Sequence, residues 1–426
     1  MIHRAPRWYE LLWRLVLPLA LVRLWCRGLK EPGYRQHVGE RFGRYAALPD
    51  ERPVIWIHAV SVGETRAAEP LVAALRERYP DHRLVLTNMT AAGRATGRAL
   101  FGDRVTQAYF PYDTSFGASR FLAWCRPRFG LLMETELWPN MILCAAARGI
   151  PLFLVNARMS GKSARGYGWI ARMSREMLQA LAGVAAQTAA DAERLTRLGA
   201  NQVAVTGNVK FDVTVPDANV ERGRALRRLL GESRPVWVAG STRDGEEALL
   251  LAALARAALP ADALLVIVPR HPQRFDAVAE LLGKRGLPFV RRSGGLPVPA
   301  GTSVVLGDTM GEMLAYYAAA DVAFIGGSLL PLGGQNLIEP LAVGTPVLIG
   351  PSTFNFAEAA RDALARGAAR QVADADAIVA EAAALLRDPE MRARMRTAGS
   401  ELLGAHRGAT NRTLDWVASR LAVGRG

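Results

Sequence analysis

The distribution of hydrophobic and polar residues along the chain predicts alternating β-strands and α-helices. Short apolar runs end in Gly, Ser, Thr or Asn, and stretches rich in Ala, Leu and Arg follow them. In the first half this pattern predicts helices over residues 64–78 and 91–101, and strands at residues 54–57, 84–87, 131–133, 152–155, 184–186 and 203–205. Short apolar runs bounded by turn residues are typical of strands buried on both faces. We therefore expect a parallel sheet covered by helices on both sides.

The alternation pauses over a charged stretch at residues 212–234 and then restarts. The second half predicts strands at residues 236–239, 264–268, 304–306, 322–325 and 347–349. A chain of 426 residues is too long for one ordinary core. We expect an α/β fold with two Rossmann-like domains, residues 31–212 and 213–426, facing a central cleft. Ligands of such sheets bind beyond the carboxyl ends of the strands, so the polar residues that follow each strand are the candidates for function.

The first segment, residues 1–30, contains an apolar run from Leu15 to Val22 between Arg14 and Arg23. The run is shorter than the roughly 20 residues that span a bilayer, although flanking arginines can reach the interface and permit a tilted span. The mixture of tryptophan and arginine in this segment is typical of a helix at the headgroup boundary. We predict a membrane-anchor helix, with the rest of the chain on the cytoplasmic side. The alternative is a helix that packs on its own domain.

Composition narrows the classes of function. Half of the residues are hydrophobic, which excludes a disordered chain. The formal net charge of +14 indicates an anionic partner without choosing between nucleic acid, membrane and phosphorylated substrate. The three cysteines share no C-x-x-C spacing and the histidines form no H-E-x-x-H motif, so we expect neither a disulfide framework nor a bound metal. The arginines are not interleaved with aromatic residues, and we expect no nucleic-acid partner.

The first candidate motif runs from His58 to Glu64, directly after the first predicted strand. Ser61 and Glu64 have the S-x-x-E spacing of a helix capping box, which is the simpler interpretation. Gly63 permits close approach of a ligand, and the motif lies at the carboxyl end of a strand. A carboxylate at this place is a candidate general base, and both interpretations stay open.

Two further motifs follow strands of the first half. Glu134 and Glu136 lie in the segment METELWPN, where acids near a helix N-terminus stabilise the helix dipole. If Glu134 faces the cleft, it supports a base or binds substrate hydroxyls. Lys210, in the segment GNVKFD, lies where the last strand of this half ends and is a candidate phosphate contact.

The second half carries motifs suited to anions. The start of a helix near Glu246 and the arginine of the segment PRHP, Arg270, are candidates for holding a phosphate. In the glycine-rich segment at residues 325–340, Asn336 can cap a helix and Glu339 can bind ribose hydroxyls. The chain has no G-x-x-x-x-G-K-[ST] motif and no G-x-G-x-x-G motif after the first strand. These absences argue against a P-loop nucleotidase and an ordinary NAD enzyme.

The order of the motifs resembles that of the bacterial 3-deoxy-D-manno-octulosonic acid (Kdo) transferases. The resemblance extends from about Arg23 to Phe356 and rests on the segments WIHAVSVGE, LLMETELWPN, GNVKFD, GSTRDGEE, VPRHPQRF, GDTMGE and FIGGSLLPLGGQNLIEP. It implies a GT-B fold and an inverting, metal-independent transfer of Kdo from CMP-Kdo to a lipid A precursor, lipid IVA. It also implies that the enzyme needs no cofactor and is anchored on the cytoplasmic side of the anionic inner membrane.

The resemblance assigns roles to individual residues. Glu64 matches the catalytic base, and Glu134 and Lys210 match residues that support the transition state. The CMP-binding stretches match Pro269, Arg270, Met310, Gly311, Glu312, Asn336, Leu337, Ile338 and Glu339. The family usually has histidine where this chain has Gln335, and often where it has Ser352. Both positions border the expected nucleotide site, so the hydrogen bonds there are expected to differ.

Two other classes of function stay open from the sequence. One is a different GT-B enzyme, such as a heptosyltransferase or a nucleotide-sugar epimerase, for which UDP or ADP rather than CMP would compete with the donor. The other is a catalytically silent membrane-bound nucleotide-binding protein. The carboxylates Glu64 and Glu134 argue against that class.

Overall fold

The structure is a computed structural model that describes residues 5–213, 215–260, 262–295 and 297–423. The first four residues of the expected anchor lie outside the described residues. So do the last three residues and positions 214, 261 and 296 of the expected second domain.

The chain forms two compact units. The described residues of Met1–Asp212 and His406–Gly426 form the first unit, and those of Val213–Ala405 form the second. The sequence placed all of residues 213–426 in the second domain, whereas the end of the chain returns to the first unit. The reason is that the Asp212 carboxylate accepts the backbone N–H groups of Gly408 and Thr410, where the last helix begins. Leu414 and Val417 of that helix are then buried in the core of the first unit.

Each unit contains a sheet of parallel strands. The first sheet has the order β3-β2-β1-β4-β5-β6-β7, and the second has the order β10-β11-β9-β8-β12-β13-β14. The strands are β1 Val54–His58, β2 Arg83–Asn88, β3 Thr106–Tyr109, β4 Pro127–Met133, β5 Leu152–Ala157, β6 Gly183–Ala186, β7 Val203–Val205, β8 Val236–Thr242, β9 Leu264–Pro269, β10 Phe289–Arg291, β11 Val304–Leu306, β12 Val322–Ile325, β13 Val347–Ile349 and β14 Ala369–Gln371. The strand order reverses between β1 and β4 and between β8 and β12, and α/β sheets bind ligands at such points.

Helices connect the strands and cover the sheets. They are α1 Arg7–Lys30, α2 Val62–Ala67, α3 Glu69–Arg78, α4 Ala91–Phe101, α5 Ser115–Cys125, α6 Pro139–Ala147, α7 Gly161–Trp169, α8 Ala171–Ala180, α9 Ala189–Arg197, α10 Asp217–Leu230, α11 Glu246–Leu254, α12 Phe275–Lys284, α13 Met313–Ala318, α14 Ile338–Ala342, α15 Ala357–Ala365, α16 Ala375–Arg387, α17 Pro389–Gly404 and α18 Ala409–Val423. The helix predicted over residues 64–78 is divided into α2 and α3. Pro70 in the first turn of α3 has no N–H group to continue the preceding helix.

The first sheet is buried on both faces, as the sequence predicted. All five residues of β1 are buried. Ile55 and Ile57 belong to one hydrophobic cluster and Trp56 to another, because successive side chains of a strand point to opposite faces. The prediction of two parallel α/β domains is therefore confirmed.

The beginning of helix α1 packs on other elements of the first unit. The Tyr9 hydroxyl donates a 2.9 Å hydrogen bond to Asp113, and the Trp13 ring packs on Tyr112. Farther along, Leu15, Leu19 and Val22 are exposed at the spacing of one helix face. In the described part of the chain, no helix combines the length and the hydrophobicity needed to cross a membrane.

Candidate active site

The Glu64 carboxylate lies at the carboxyl end of β1, at the reversal point of the first sheet. Ser61 caps α2, because its Oγ accepts the Glu64 N–H at 3.4 Å. The Ser61 hydroxyl donates to Glu64 Oε1 at 3.0 Å, and the Val60 N–H donates to Oε2 at 2.8 Å. Ser61 and Glu64 therefore form the helix cap that their spacing predicted. The hydrogen bonds from Ser61 and Val60 also fix the orientation of the Glu64 carboxylate.

Glu134 follows β4, the strand on the other side of the same reversal point. Its backbone has φ of +59°, a left-handed conformation that is uncommon for residues other than glycine. Its N–H donates to the Val155 carbonyl at 3.0 Å, and its Oε1 lies 2.6 Å from Lys210 Nζ. The structure thus joins two of the predicted site residues in an ion pair.

Lys210 reaches Glu134 because the chain after β7 crosses the carboxyl ends of neighbouring strands. The Val209 N–H donates to Asn156 Oδ1 at 3.1 Å, and the Asn208 side chain donates to Gln187 at 3.1 Å. Val209 is fully buried and anchors this turn in the core. The position of Lys210 therefore follows from contacts with β5 and with the residues after β6.

The end of the chain also holds this turn. The imidazole Nδ1 of His406 accepts the Asn208 N–H at 3.1 Å, and its ring stacks on Phe211 with centroids 5.0 Å apart. The segment that returns to the first unit therefore positions the residues on both sides of Lys210.

The electrostatic environment makes Glu64 a stronger base than an ordinary glutamate. Burial, followed by the negative charges of Glu134 and Glu136, raises the pKa of Glu64 to about 8. The hydrogen bonds from Val60 and Ser61 act in the opposite direction and do not cancel the rise in pKa. A carboxyl group with such a pKa suits proton transfer near neutral pH.

Glu136 and His58 belong to the same cluster, although the sequence analysis gave neither of them a role in catalysis or binding. The Trp138 indole donates to Glu136 Oε2 at 2.9 Å, and this oxygen lies 4.0 Å from His58 Nε2. Burial raises the pKa of Glu136 to about 7 and lowers the pKa of His58 to about 3, so the imidazole is neutral. The available signal was their place at the carboxyl ends of strands, with His58 as the last residue of β1 and Glu136 in the loop after β4.

In the second unit, Glu246 organises the loops at the reversal point between β8 and β12. Its buried carboxylate accepts the backbone N–H groups of Arg243 at 2.8 Å, Gly327 at 2.6 Å and Leu329 at 3.0 Å. Sequence reasoning placed Glu246 at a helix start but did not identify it as the residue that joins the two loops.

Two groups of predicted CMP-binding residues follow the paired strands β9 and β11. Pro269 ends β9, and the Arg270 N–H donates to the Thr242 carbonyl at 2.9 Å. The residues Met310, Gly311 and Glu312 follow β11. The Glu312 carboxylate accepts the Thr309 hydroxyl at 2.5 Å and an Arg292 N–H at 3.3 Å, while the Met310 side chain is exposed. Both groups therefore lie at the carboxyl edge of the second sheet.

The third predicted group begins α14. The Asn336 amide donates to Glu339 at 3.1 Å, and its carbonyl accepts the Ile338 N–H at 3.0 Å. The side chains of Leu337 and Ile338 are buried. A nucleotide at this loop would therefore contact the polar side chains and the backbone rather than these two apolar side chains.

Both positions where histidine was expected contribute to the glycine-rich loop, Gln335 through its backbone and Ser352 through its side chain. The Gln335 N–H donates to the Gly326 carbonyl at 3.0 Å, and Ser352 Oγ accepts the Gly333 N–H at 3.0 Å. Among the described residues, no group of three His, Cys, Asp or Glu side chains has the arrangement of a metal site.

Comparison with solved structures identifies the fold. UDP-GlcNAc 2-epimerase from Neisseria meningitidis, bound to UDP-GlcNAc, has a TM-score of 0.54 and 14% sequence identity, covering 86% of this chain and 100% of that chain. At this identity the likeness concerns the fold alone, which is of the GT-B type with two Rossmann-like domains.

Comparison with known sequences identifies the family. A family profile described as "3-Deoxy-D-manno-octulosonic-acid transferase (kdotransferase)" matches residues 36–213, and one described as "Glycosyl transferases group 1" matches residues 247–402. The 3-deoxy-D-manno-octulosonic acid transferase of Bordetella pertussis is 48% identical over 96% of this chain and 97% of its own length. The protein of the same name from Haemophilus influenzae is 40% identical over 96% of both chains. The chain belongs to the 3-deoxy-D-manno-octulosonic acid (Kdo) transferase family of glycosyltransferases.

Proposed function

We propose that this Kdo transferase moves Kdo from CMP-Kdo to the lipid A precursor lipid IVA, with inversion and with Glu64 as the general base. The observation that carries the proposal is the Glu64 carboxylate, which Val60 and Ser61 orient and whose pKa is raised to about 8. Each oxygen of this carboxylate accepts one of these two bonds and keeps a further lone pair for a substrate proton.

In the proposed reaction, a hydroxyl oxygen of the acceptor attacks the anomeric carbon of Kdo from the face opposite CMP. The new C–O bond forms as the bond from that carbon to the CMP phosphate oxygen breaks. The hydroxyl proton goes to Glu64, and the electron pair of the broken bond goes to the phosphate. Attack from the opposite face inverts the configuration of the anomeric carbon.

Negative charge develops on the departing CMP and requires stabilisation. We assign this role to Lys210, which Glu134 holds at 2.6 Å, and to Arg270 with the loops after β9, β11 and β12. Preorganised donors of this kind stabilise charge without reorganisation during the reaction. A leaving group with a single phosphate needs less neutralisation than a nucleoside diphosphate, so the proposal includes no metal ion and no cofactor.

The proposal also places the protein on the cytoplasmic side of the inner membrane. The exposed Leu15, Leu19 and Val22 of α1 provide an apolar face, and the net charge of +14 favours an anionic surface. Such a helix lies in the interface and adds electrostatic attraction to apolar burial.

The purified protein, incubated with labelled CMP-Kdo and lipid IVA, tests this function. We expect a Kdo-containing lipid product whose mass gives the number of units added. CMP is expected to inhibit the reaction, and UDP and ADP at the same concentration serve as controls without effect. Absence of product, or equal inhibition by UDP, would contradict the proposed donor.

A further inference from the structure

A large groove lies in the first unit, between the beginning of α1, the start of α5 and the junction of α7 and α8. Its volume is about 1400 Å³. This exceeds the roughly 300–1,000 Å³ of ordinary small-molecule pockets. We call it the α1–α8 groove. The lining residues on which the inference rests are Arg7, Leu11, Arg14, Phe116, Trp169 and Arg172.

The walls of the α1–α8 groove include large apolar side chains that are unusually exposed. The side chain of Trp169 is 91% exposed and that of Phe116 is 64% exposed. Leu11 of α1 is also more than half exposed. Single exposed apolar residues are ordinary, but several that converge on one concave surface indicate a binding site.

The groove also presents cations without internal partners. Among the described residues, neither Arg7 nor Arg14 has an ion pair or a side-chain hydrogen bond, and both are exposed. The two glutamates of the groove are engaged, because Glu10 accepts the Ser115 N–H at 2.9 Å and Glu176 pairs with Arg172 at 3.0 Å. The groove therefore offers positive charge beside apolar surface.

The groove and the carboxylate cluster around Glu64 lie in the same unit. The helix α7 that ends in Trp169 also carries Tyr167, which packs against the core cluster containing Leu137. The pKa of the Tyr167 phenol is raised by burial and then by the negative charge of Glu136. The short helix α7 therefore carries both Trp169 of the groove and Tyr167, whose phenol is affected by the charge of Glu136.

We propose that the α1–α8 groove holds the acyl chains of the lipid acceptor, with Arg7 and Arg14 at a phosphate of the same molecule. This inference rests on the proposed function, since it concerns the acceptor of that reaction. An amphiphilic anion matches both the apolar walls and the unpaired arginines, whereas a sugar nucleotide has no chain for the apolar walls.

Equilibrium binding of two acceptors tests the inference without depending on turnover. The acceptors are lipid IVA in detergent and the same diphosphorylated disaccharide with its acyl chains removed. For Trp169→Ala combined with Phe116→Ala, we expect the Kd for lipid IVA to rise by about tenfold, because apolar contact is lost. The Kd for the deacylated disaccharide should not change. For Arg7→Gln combined with Arg14→Gln, both Kd values should rise.

Trp25→Ala is the matched control, because Trp25 is an exposed tryptophan of α1 that does not line the groove. Equal effects of the double aromatic variant on both acceptors, or no effect on either, would overturn the inference. If the double aromatic variant loses binding to vesicles while its Kd for lipid IVA in detergent is unchanged, the inference is also overturned, because the groove would then be a membrane contact. Failure of the proposed function is distinguishable, because it appears as absence of Kdo transfer by the wild type.

Discussion

The Lys210 ammonium lies 2.6 Å from the Glu134 carboxylate, although Glu134 follows a central strand and Lys210 follows the edge strand of the same sheet. The same carboxylate raises the pKa of Glu64. Glu134 therefore has two effects. It holds a cation in place, and it makes the neighbouring carboxylate more basic.

The pH dependence of kcat/KM is expected to report the titration of Glu64. A general base acts in its deprotonated form, so kcat/KM should rise with pH through an apparent pKa near 8. Glu136→Gln removes one of the negative charges that raise this pKa, and the rise should move to lower pH. The measurement is the pH profile of kcat/KM for both proteins.

Glu77→Gln, at an exposed position of α3, is the control and should leave the profile unchanged. A rise centred near the ordinary carboxyl pKa in the wild type would contradict the assignment. So would identical profiles for Glu136→Gln and the wild type. Because Glu64 and Glu136 interact, the measured values belong to the pair of carboxyl groups.

The left-handed backbone of Glu134 predicts an unusual order of stabilities. Glu134→Gly and Glu134→Ala both remove the carboxylate, but only glycine adopts φ of +59° without steric cost. The glycine variant should have a free energy of unfolding about 1 kcal/mol larger than that of the alanine variant. Urea unfolding of the two variants measures the difference.

The exposed helical position Ala73 provides the matched comparison for that order. There, Ala73→Gly should lower the free energy of unfolding by about 1 kcal/mol. If the Glu134→Ala variant is as stable as the Glu134→Gly variant, the backbone at this position is not strained.

Glu246→Gln is expected to weaken the loops of the second unit. The carboxylate accepts backbone N–H groups with both oxygens, so an amide NH₂ group would face at least one of these donors. The stability of the chain should fall by about 1–3 kcal/mol, and the affinity for CMP should fall with it. Denaturant unfolding and CMP titration measure the two effects. The exposed Glu232→Gln serves as the control, and unchanged stability and CMP affinity in Glu246→Gln would contradict this role.

The exposed face of α1 is expected to bind anionic membranes. Replacing Leu15, Leu19 and Val22 with glutamine removes apolar surface without disturbing buried contacts, because all three side chains are exposed. Cosedimentation with vesicles that contain phosphatidylglycerol should fall strongly in this triple variant. Phe354→Gln, at an exposed position of the second unit, should sediment like the wild type. Undiminished sedimentation of the triple variant would count against α1 as the anchor.

The sequence predicts the interior of both sheets well, because buried parallel strands require continuous apolar runs. The strands that it does not predict are β3, β10 and β14, and each lies at the edge of a sheet. Edge strands contact one neighbour and are partly exposed, so residues such as Thr106 and Gln371 are tolerated in them. The hydrophobic pattern of the sequence is therefore a weak predictor of such edge strands.

The sequence singles out a candidate site residue where a single motif carries the chemistry, as at Glu64. It does not predict the contacts that form where distant segments meet. The pairing of Asp212 with Gly408 depends on the path of the whole chain, and so does the approach of His58 to Glu136. Neither contact corresponds to a motif or a fixed residue spacing that could be recognised in the sequence.

Whether Glu64 takes the proton of the attacking hydroxyl is tested most directly by single-turnover transfer from labelled CMP-Kdo to lipid IVA with Glu64→Gln. The glutamine keeps the shape of the side chain but cannot accept a proton, so the Kd for CMP-Kdo should be unchanged. We expect the transfer rate to fall by about 10²–10⁴-fold. A transfer rate within a few-fold of the wild type would contradict the assignment of Glu64 as the base.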